Sequence, residues 1–219
     1  MKETRAMNPT SRTINGTRIL LGAGLLISGV LVGCSSTSTR SDSGALSEID
    51  PAIAYARRQR AEAREHYTTA TELYKEGEHE AALAEYRKAL ELDDQLYAAW
   101  NNMGQLLMAQ NNYADAVNAF QIAASIEPSD PRPVYNIGLA YQRVGWAADA
   151  YKSYEQALAR EQYYLPAMRG LARSAEMLGS GDRQLLETIK QAQLRETDDQ
   201  WRDYFRAQYS RVETLLENR

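Results

Sequence analysis

Residues 97–130 read YAAWNNMGQLLMAQNNYADAVNAFQIAASIEPSD, and their pattern decides the fold. Trp100, Met103, Gly104 and Leu107 fall at i, i+3, i+4 and i+7, the spacing of one apolar stripe on an α-helix. Asn111 then supplies a residue tolerant of left-handed backbone, which ends a helix. A second helix over 115–126 carries Ala116, Phe120 and Ala123 on one face. The small residues Gly104, Ala116 and Ala123 let the two helices approach closely, while Phe120 fills the gap toward the next pair. Pro128 ends the second helix, and Asp130-Pro131 opens a third with a side-chain cap and a proline in its first turn.

The pattern recurs every 34 residues: Ala82, Ala116 and Ala150; Tyr86, Phe120 and Tyr154; Ala89, Ala123 and Ala157. Gly104 and Gly138 keep the interval, with Ala70 one period earlier, and so do the turn residues Gly77, Asn111 and Gly145. The period and these positions resemble the tetratricopeptide-repeat family. The resemblance implies an all-α superhelix of stacked helix pairs with full units at 63–96, 97–130 and 131–164. The outer units depart from the pattern at His66, Thr69 and Asp94, and at Val134 and Gln162. A degenerate fourth unit starts at Leu165 with the stripe Met168, Leu171, Ala172 and Ala175, but its second helix, near 182–194, lacks the alanines. The last unit of such an array needs a cover for its apolar face. Trp201, Tyr204, Phe205, Val212, Leu215 and Leu216 lie on one face of a helix predicted over 199–217 and supply it. The domain organisation expected is therefore a repeat domain over 63–196 and a capping helix over 197–219. A helical extension over 48–62 precedes them, because Asp50-Pro51 starts a helix predicted to run on to Glu76.

Upstream of residue 48 the composition changes. Lys2, Arg5, Arg12 and Arg18 precede an apolar run over 19–32 that is shorter than the ~20 residues of a membrane span. Leu31-Val32-Gly33-Cys34 follows, and the whole resembles the leader of bacterial lipoproteins. That resemblance implies a signal peptide over 1–33, lipidation (palmitate among the acyl groups) of Cys34, and a Ser/Thr-rich tether over 34–47. It also implies location in a bacterial envelope, at the outer membrane because Ser35 follows the cysteine. A signal-anchor helix with an incidental cysteine is the alternative.

The chain has a net charge of −4 and a single cysteine, which argues against nucleic-acid binding, disulfides and a cysteine metal site. His66 and His79 share no ligand spacing, and His66 falls on the packing stripe. No phosphate loop or nucleophile elbow is present, so neither cofactor nor catalytic site is expected and the chain reads as a non-enzyme.

Binding is the remaining class. In the repeat family a second stripe on each first helix lines a concave groove that takes peptide segments. By that resemblance the groove holds Arg64, Tyr67, Thr71 and Tyr74 in the first unit, then Asn101, Gln105 and Met108 in the second. The third gives Arg132, Tyr135, Asn136, Leu139 and Gln142, and the fourth Arg169 and Arg173. Tyrosine and arginine are favoured at binding hot spots, and amide side chains can bond a peptide backbone. Arg169 and Arg173 lie one helical turn apart and could grip one carboxylate together, or stand as a solvated pair. The function expected is a scaffold or adaptor for proteins of the envelope, resembling either cell-wall hydrolase adaptors or the pilotins of type IV pili. A constitutive subunit of an envelope complex is the structural alternative.

Overall fold

The computed structural model describes residues 50–218, which form nine α-helices. They are α1 (Pro51–Glu76), α2 (His79–Leu92), α3 (Tyr97–Ala109), α4 (Tyr113–Ile126) and α5 (Pro131–Arg143), then α6 (Ala147–Arg160), α7 (Leu165–Met177), α8 (Arg183–Arg195) and α9 (Asp199–Glu217). Each helix packs on the next in sequence, as short turns between amphipathic helices require. In addition α3 touches α5 and α5 touches α7, whereas no such contact joins α2, α4 and α6. From the second unit on, the first helices of successive units are therefore drawn together on the inner side. This is the tetratricopeptide-repeat superhelix that the period implied.

Four turns share one C-terminal motif. Gly77, Asn111, Gly145 and Gly179 have φ of 84°, 61°, 81° and 61°. In each, the following N–H reaches back to a carbonyl five residues earlier, as in Glu78 to Leu73 at 2.9 Å and Trp146 to Tyr141 at 2.9 Å. The bond satisfies a carbonyl that the helix end would leave unpaired. At the other ends, Asp50, Asp130, Asp182 and Asp198 accept backbone N–H bonds from the first turns of α1, α5, α8 and α9. Helix α4 starts two residues before the predicted Asp115, because Asn112 caps it by accepting from the Asp115 N–H.

Inside each unit an aromatic ring of the second helix lies on a small residue of the first. A Cβ placed on Gly104 would come within 2.6 Å of the Phe120 ring, and one on Gly138 within 2.6 Å of the Tyr154 ring. Tyr154 reaches the next unit too, where Gly170 leaves room that a Cβ would close to 2.4 Å. Phe120, Tyr154 and the neighbouring alanines at 116, 123, 150 and 157 are fully buried. Two apolar clusters result, one over the first two units and one over the last two with the cap; Tyr141 packs against both.

The fourth unit keeps the packing that its sequence had hidden. Leu185, Ile189 and Ala192 are buried where the alanine–aromatic–alanine triplet should stand, one residue later than the 34-residue period puts it. The longer turn Gly179–Asp182 shifts the register. Helix α9 covers the end with Phe205 and Val212, both fully buried, and Val212 approaches Gly181 so closely that a Cβ there would lie 3.0 Å away. At the other end of the array, α1 has no buried residue before Ala63. His66, expected in the core, is only half-buried and holds Glu85 at 2.6 Å through Nδ1.

Two glycine-to-alanine changes separate the two uses of glycine. Gly145→Ala meets no neighbour and should cost about 1–2 kcal/mol through its left-handed backbone, largely restored by Gly145→Asn, as Asn111 already illustrates. Gly104→Ala should cost about 1–3 kcal/mol through overpacking, and Gly104→Asn should be worse still. Urea unfolding of the four variants checks both.

Candidate functional site: the concave groove

The inward faces of α3, α5 and α7 present the stripe that the sequence assigned to binding. Asn101 and Asn136 meet across neighbouring units, the Asn136 amide donating to Asn101 Oδ1 at 3.3 Å. One unit earlier the Asn102 amide donates to the Tyr67 hydroxyl at 3.2 Å. Asn101 is 6% exposed, so it belongs to the floor of the groove. Beyond this pair, Gln105, Met108, Asn136, Leu139 and Arg143 line an open depression of about 490 Å³, rimmed by Asn111 and Tyr113. Gln105 and Arg143 are exposed, while Met108 and Leu139 are half-buried with their sides against the core. Arg143 is absent from the sequence assignment, although it stands one turn after Leu139 on the same helix face.

Other residues of the stripe are already engaged within the fold. Tyr135 stacks obliquely on Tyr154 at 5.8 Å and meets Tyr164 edge-on at 5.6 Å, and burial pushes its phenol pKa up. Gln142 accepts the Tyr154 hydroxyl at 2.8 Å. Thr71 donates to the Tyr67 carbonyl at 2.9 Å, and the Tyr67 ring leans on Tyr86 at 6.1 Å. Tyr74 is exposed and stacks on His79, and Arg64 is exposed. Arg132 turns away to the junction between units. There its guanidinium forks onto Asp130 at 2.6–3.0 Å, and Asp130 also accepts the Tyr97 hydroxyl at 2.5 Å. Arg160 donates to the Asp130 carbonyl at 2.8 Å, tying α6 to the same corner.

The arginine pair is occupied from within the chain. Arg169 forks onto the Glu196 carboxylate, Nε at 2.8 Å and a terminal nitrogen at 2.7 Å. Arg173 instead lies over the Trp201 ring at 4.3 Å, with Arg169 over the same ring at 4.7 Å. The two guanidiniums therefore do not share a carboxylate. Sequence reasoning placed Trp201 on the capping face but missed Glu196 and the contact of both with the arginines, because a contact between α7 and the α8–α9 junction follows no period. Among the described residues no group of three or more His, Cys, Asp or Glu is placed to hold a metal ion.

Residues 70–111 and 104–145 match a family model described as TPR repeat, and residues 131–164 one described as tetratricopeptide repeat. The repeat assignment stands on sequence and structure alike. Among curated proteins the chain is similar to Superkiller complex protein 3 of mouse, 26% identical over 105 residues, or 48% of this chain and 7% of that protein. The human protein of that name matches at 26% over 97 residues, or 44% of this chain and 6% of that protein. The chain thus spans under a tenth of these relatives' length. Among solved structures, the first repeat domain of Spaghetti (RPAP3) bound to the HSP90 peptide SRMEEVD superposes with a TM-score of 0.52 at 20% identity, over 55% of this chain and 96% of that one. MamA from Desulfovibrio magneticus RS-1 gives 0.55 at 19% identity, over 66% and 81%. These likenesses carry the fold.

The comparisons overturn the bacterial-lipoprotein resemblance and the envelope location drawn from it. The matching curated proteins come from mouse, human, Xenopus laevis and Caenorhabditis elegans, and none is named as a lipoprotein. The reading rested on residues 19–34, whereas the family models match the repeats. Cys34, the leader over 1–33 and the tether over 34–47 lie outside the described residues. Within the described residues no helix is long and apolar enough to cross a membrane.

The Asp130 corner generates a pH prediction. Burial would raise the Asp130 pKa, but bonds from Arg132 and Tyr97 outweigh it and hold it at about 2, below its ordinary 3.8. A carboxyl depressed in the folded state stabilises above its unfolded pKa, and that contribution is lost as the pH falls through the folded value. Asp130→Asn keeps a helix cap and should cost about 1–2 kcal/mol at pH 7, discounted for the exposed Arg132. The difference from the parent should shrink between about pH 4 and pH 2. A deficit independent of pH in denaturant titrations would assign the effect to packing.

Proposed function

We propose that this chain is a protein-binding scaffold, not an enzyme, whose concave groove holds an extended or helical segment of a partner protein. The observation that carries the reading is the depression on α3 and α5. Exposed Gln105 and Arg143 flank the apolar Met108 and Leu139 there, above a floor fixed by Asn101 and Asn136. Amides offer a donor and an acceptor to a peptide backbone, the apolar pair takes a side chain, and Arg143 attracts an acid. Tyr67 and Tyr74 extend the same face toward the first unit, and their rings add contact area at small entropic cost. The likeness to a repeat domain bound to an HSP90 peptide supports the class of ligand. A second reading, a constitutive subunit of a larger assembly, is favoured by the similarity to Superkiller complex protein 3.

Affinity capture with the full chain, followed by mapping of the retained partner to a minimal segment, supplies the ligand for the test. Gln105→Ala and Arg143→Ala should each weaken that segment by about 1–2 kcal/mol while melting like the parent, because neither side chain is buried. Lys152→Ala on the outward helix α6 should leave binding unchanged. Phe120→Ala is the folding control and should lose about 3–5 kcal/mol of stability. Binding that tolerates both groove changes and fails with Lys152→Ala would move the site to the convex face.

A further inference from the structure

The turn after each first helix is built alike in all four units, yet its side chains change character halfway along the array. The residue before the left-handed one is Glu76, Gln110, Val144 and Leu178 in chain order, and the residue after it is Glu78, Asn112, Trp146 and Ser180. No unit buries these positions. Polar residues hold them in the first two units. The third and fourth place Val144, Trp146 and Leu178 in water at 40%, 59% and 44% exposure, with Met177 beside them at 55%. Folding does not demand this exchange. Asn112 caps α4 through its side chain, and Trp146 in the same place caps nothing. Its indole stacks on Tyr141 at 5.8 Å, the apolar contact usual around such a helix end, which accounts for one face only. Two adjoining clefts share Trp146. One, of about 400 Å³, is walled by Tyr113, Val117, Tyr141, Val144 and Trp146. The other, of about 570 Å³, lies between Trp146 and Met177–Leu178. Asp149 is the one charged residue on either wall, and no salt bridge among the described residues engages it.

We infer that these clefts are a second docking site, outside the concave groove, for a short partner segment that carries two apolar side chains with a lysine or arginine next to them. The apolar pair fills the clefts on either side of Trp146, and the cation meets Asp149. Area decides against a second copy of this chain. At these exposures the four side chains put roughly 400 Å² of apolar surface in water, half of the ~800 Å² that each partner of a stable complex covers. The unpaired Asp149 beside the indole decides against an anionic membrane surface.

The probe is a random heptapeptide library displayed on phage and panned on the immobilised full chain. The selected peptides should share two apolar residues with a lysine or arginine adjacent; an acidic consensus, or none, overturns the inference. The consensus peptide is then synthesised and its Kd measured by calorimetry. The triple variant Val144→Gln, Trp146→Asn, Leu178→Gln carries the residues that the second unit holds at these places. It should melt within a few degrees of the parent and bind the peptide about tenfold more weakly or worse. A variant that melts far below the parent assigns the apolar turns to packing, and one that binds like the parent puts the peptide elsewhere; either result overturns the inference. Asp149→Asn should weaken the peptide about threefold or more, and should not weaken the form whose cation is replaced by glutamine. A loss that is absent, or equal for both forms, overturns the pairing and the inference with it. Trp146→Asn should leave the affinity of the groove's own segment unchanged, so the two sites fail separately. A parent dimer that Trp146→Asn dissociates in sedimentation, or flotation with phosphatidylglycerol vesicles that it abolishes, would give the patch to a second copy or to a membrane and overturn the inference.

Discussion

The contact of an aromatic ring with a residue that has no side chain sets the geometry of the array. Phe120 rests on Gly104, and Tyr154 rests on Gly138 and Gly170, at distances that exclude even a methyl group. Such contacts fix how closely the two helices of a unit approach, and in the case of Tyr154 how closely the next unit docks. In a stacked array each unit is stabilised by its own packing and by its interfaces with its neighbours. A displaced ring therefore loosens two interfaces at once. The groove inherits its shape from these contacts, because α3, α5 and α7 carry the glycines on one face and the candidate binding side chains on an adjacent one.

The polar residues of the inner face divide into those that build and those that remain available. The amide pair Asn101–Asn136 and the Tyr154–Gln142 bond satisfy groups that burial would otherwise penalise. At the junction between units, Asp130 gathers Arg132, Tyr97 and Arg160 into one corner that sets the entry of α5. Burial pushes the Tyr97 and Tyr154 phenols up, so both stay neutral donors throughout the physiological range. Gln105, Arg143 and the flanks of Met108 and Leu139 remain open to a ligand. At the fourth unit Arg169, with the Thr197 and Asp198 N–H groups, holds Glu196 below the usual carboxylate range, chiefly through the bonds from Arg169 and against the effect of burial.

The fold was legible because one interaction repeats. Ala82, Ala116 and Ala150, with the aromatic residues four positions later, announce it at a fixed interval, and the left-handed turn residues mark the helix ends independently. The fourth unit was harder to read because its longer turn left the buried triplet one position off the period. The groove was legible as a stripe but not as a site. Periodicity says which side chains share a face; it does not say that Tyr135 is spent on Tyr164, Arg132 on Asp130, or Arg169 on Glu196. The Tyr135–Tyr164 and Arg169–Glu196 pairings join segments with no common period, and Arg132–Asp130 is a local contact at the start of α5 that a stripe does not reveal. The lipoprotein resemblance and the envelope location drawn from it are overturned for a related reason: they were read from a local pattern over 19–34, whereas the relatives share the repeats.

The most direct test of the binding surface is an amide chemical-shift map of the isotopically labelled chain titrated with the partner segment obtained by capture. The account predicts that the shifts concentrate on the inward turns of α3 and α5, at Gln105, Met108, Asn136, Leu139 and Arg143, with α2, α4 and α6 silent. Shifts confined to the outward helices, or to the exposed Val144, Trp146 and Met177 edge, would contradict it.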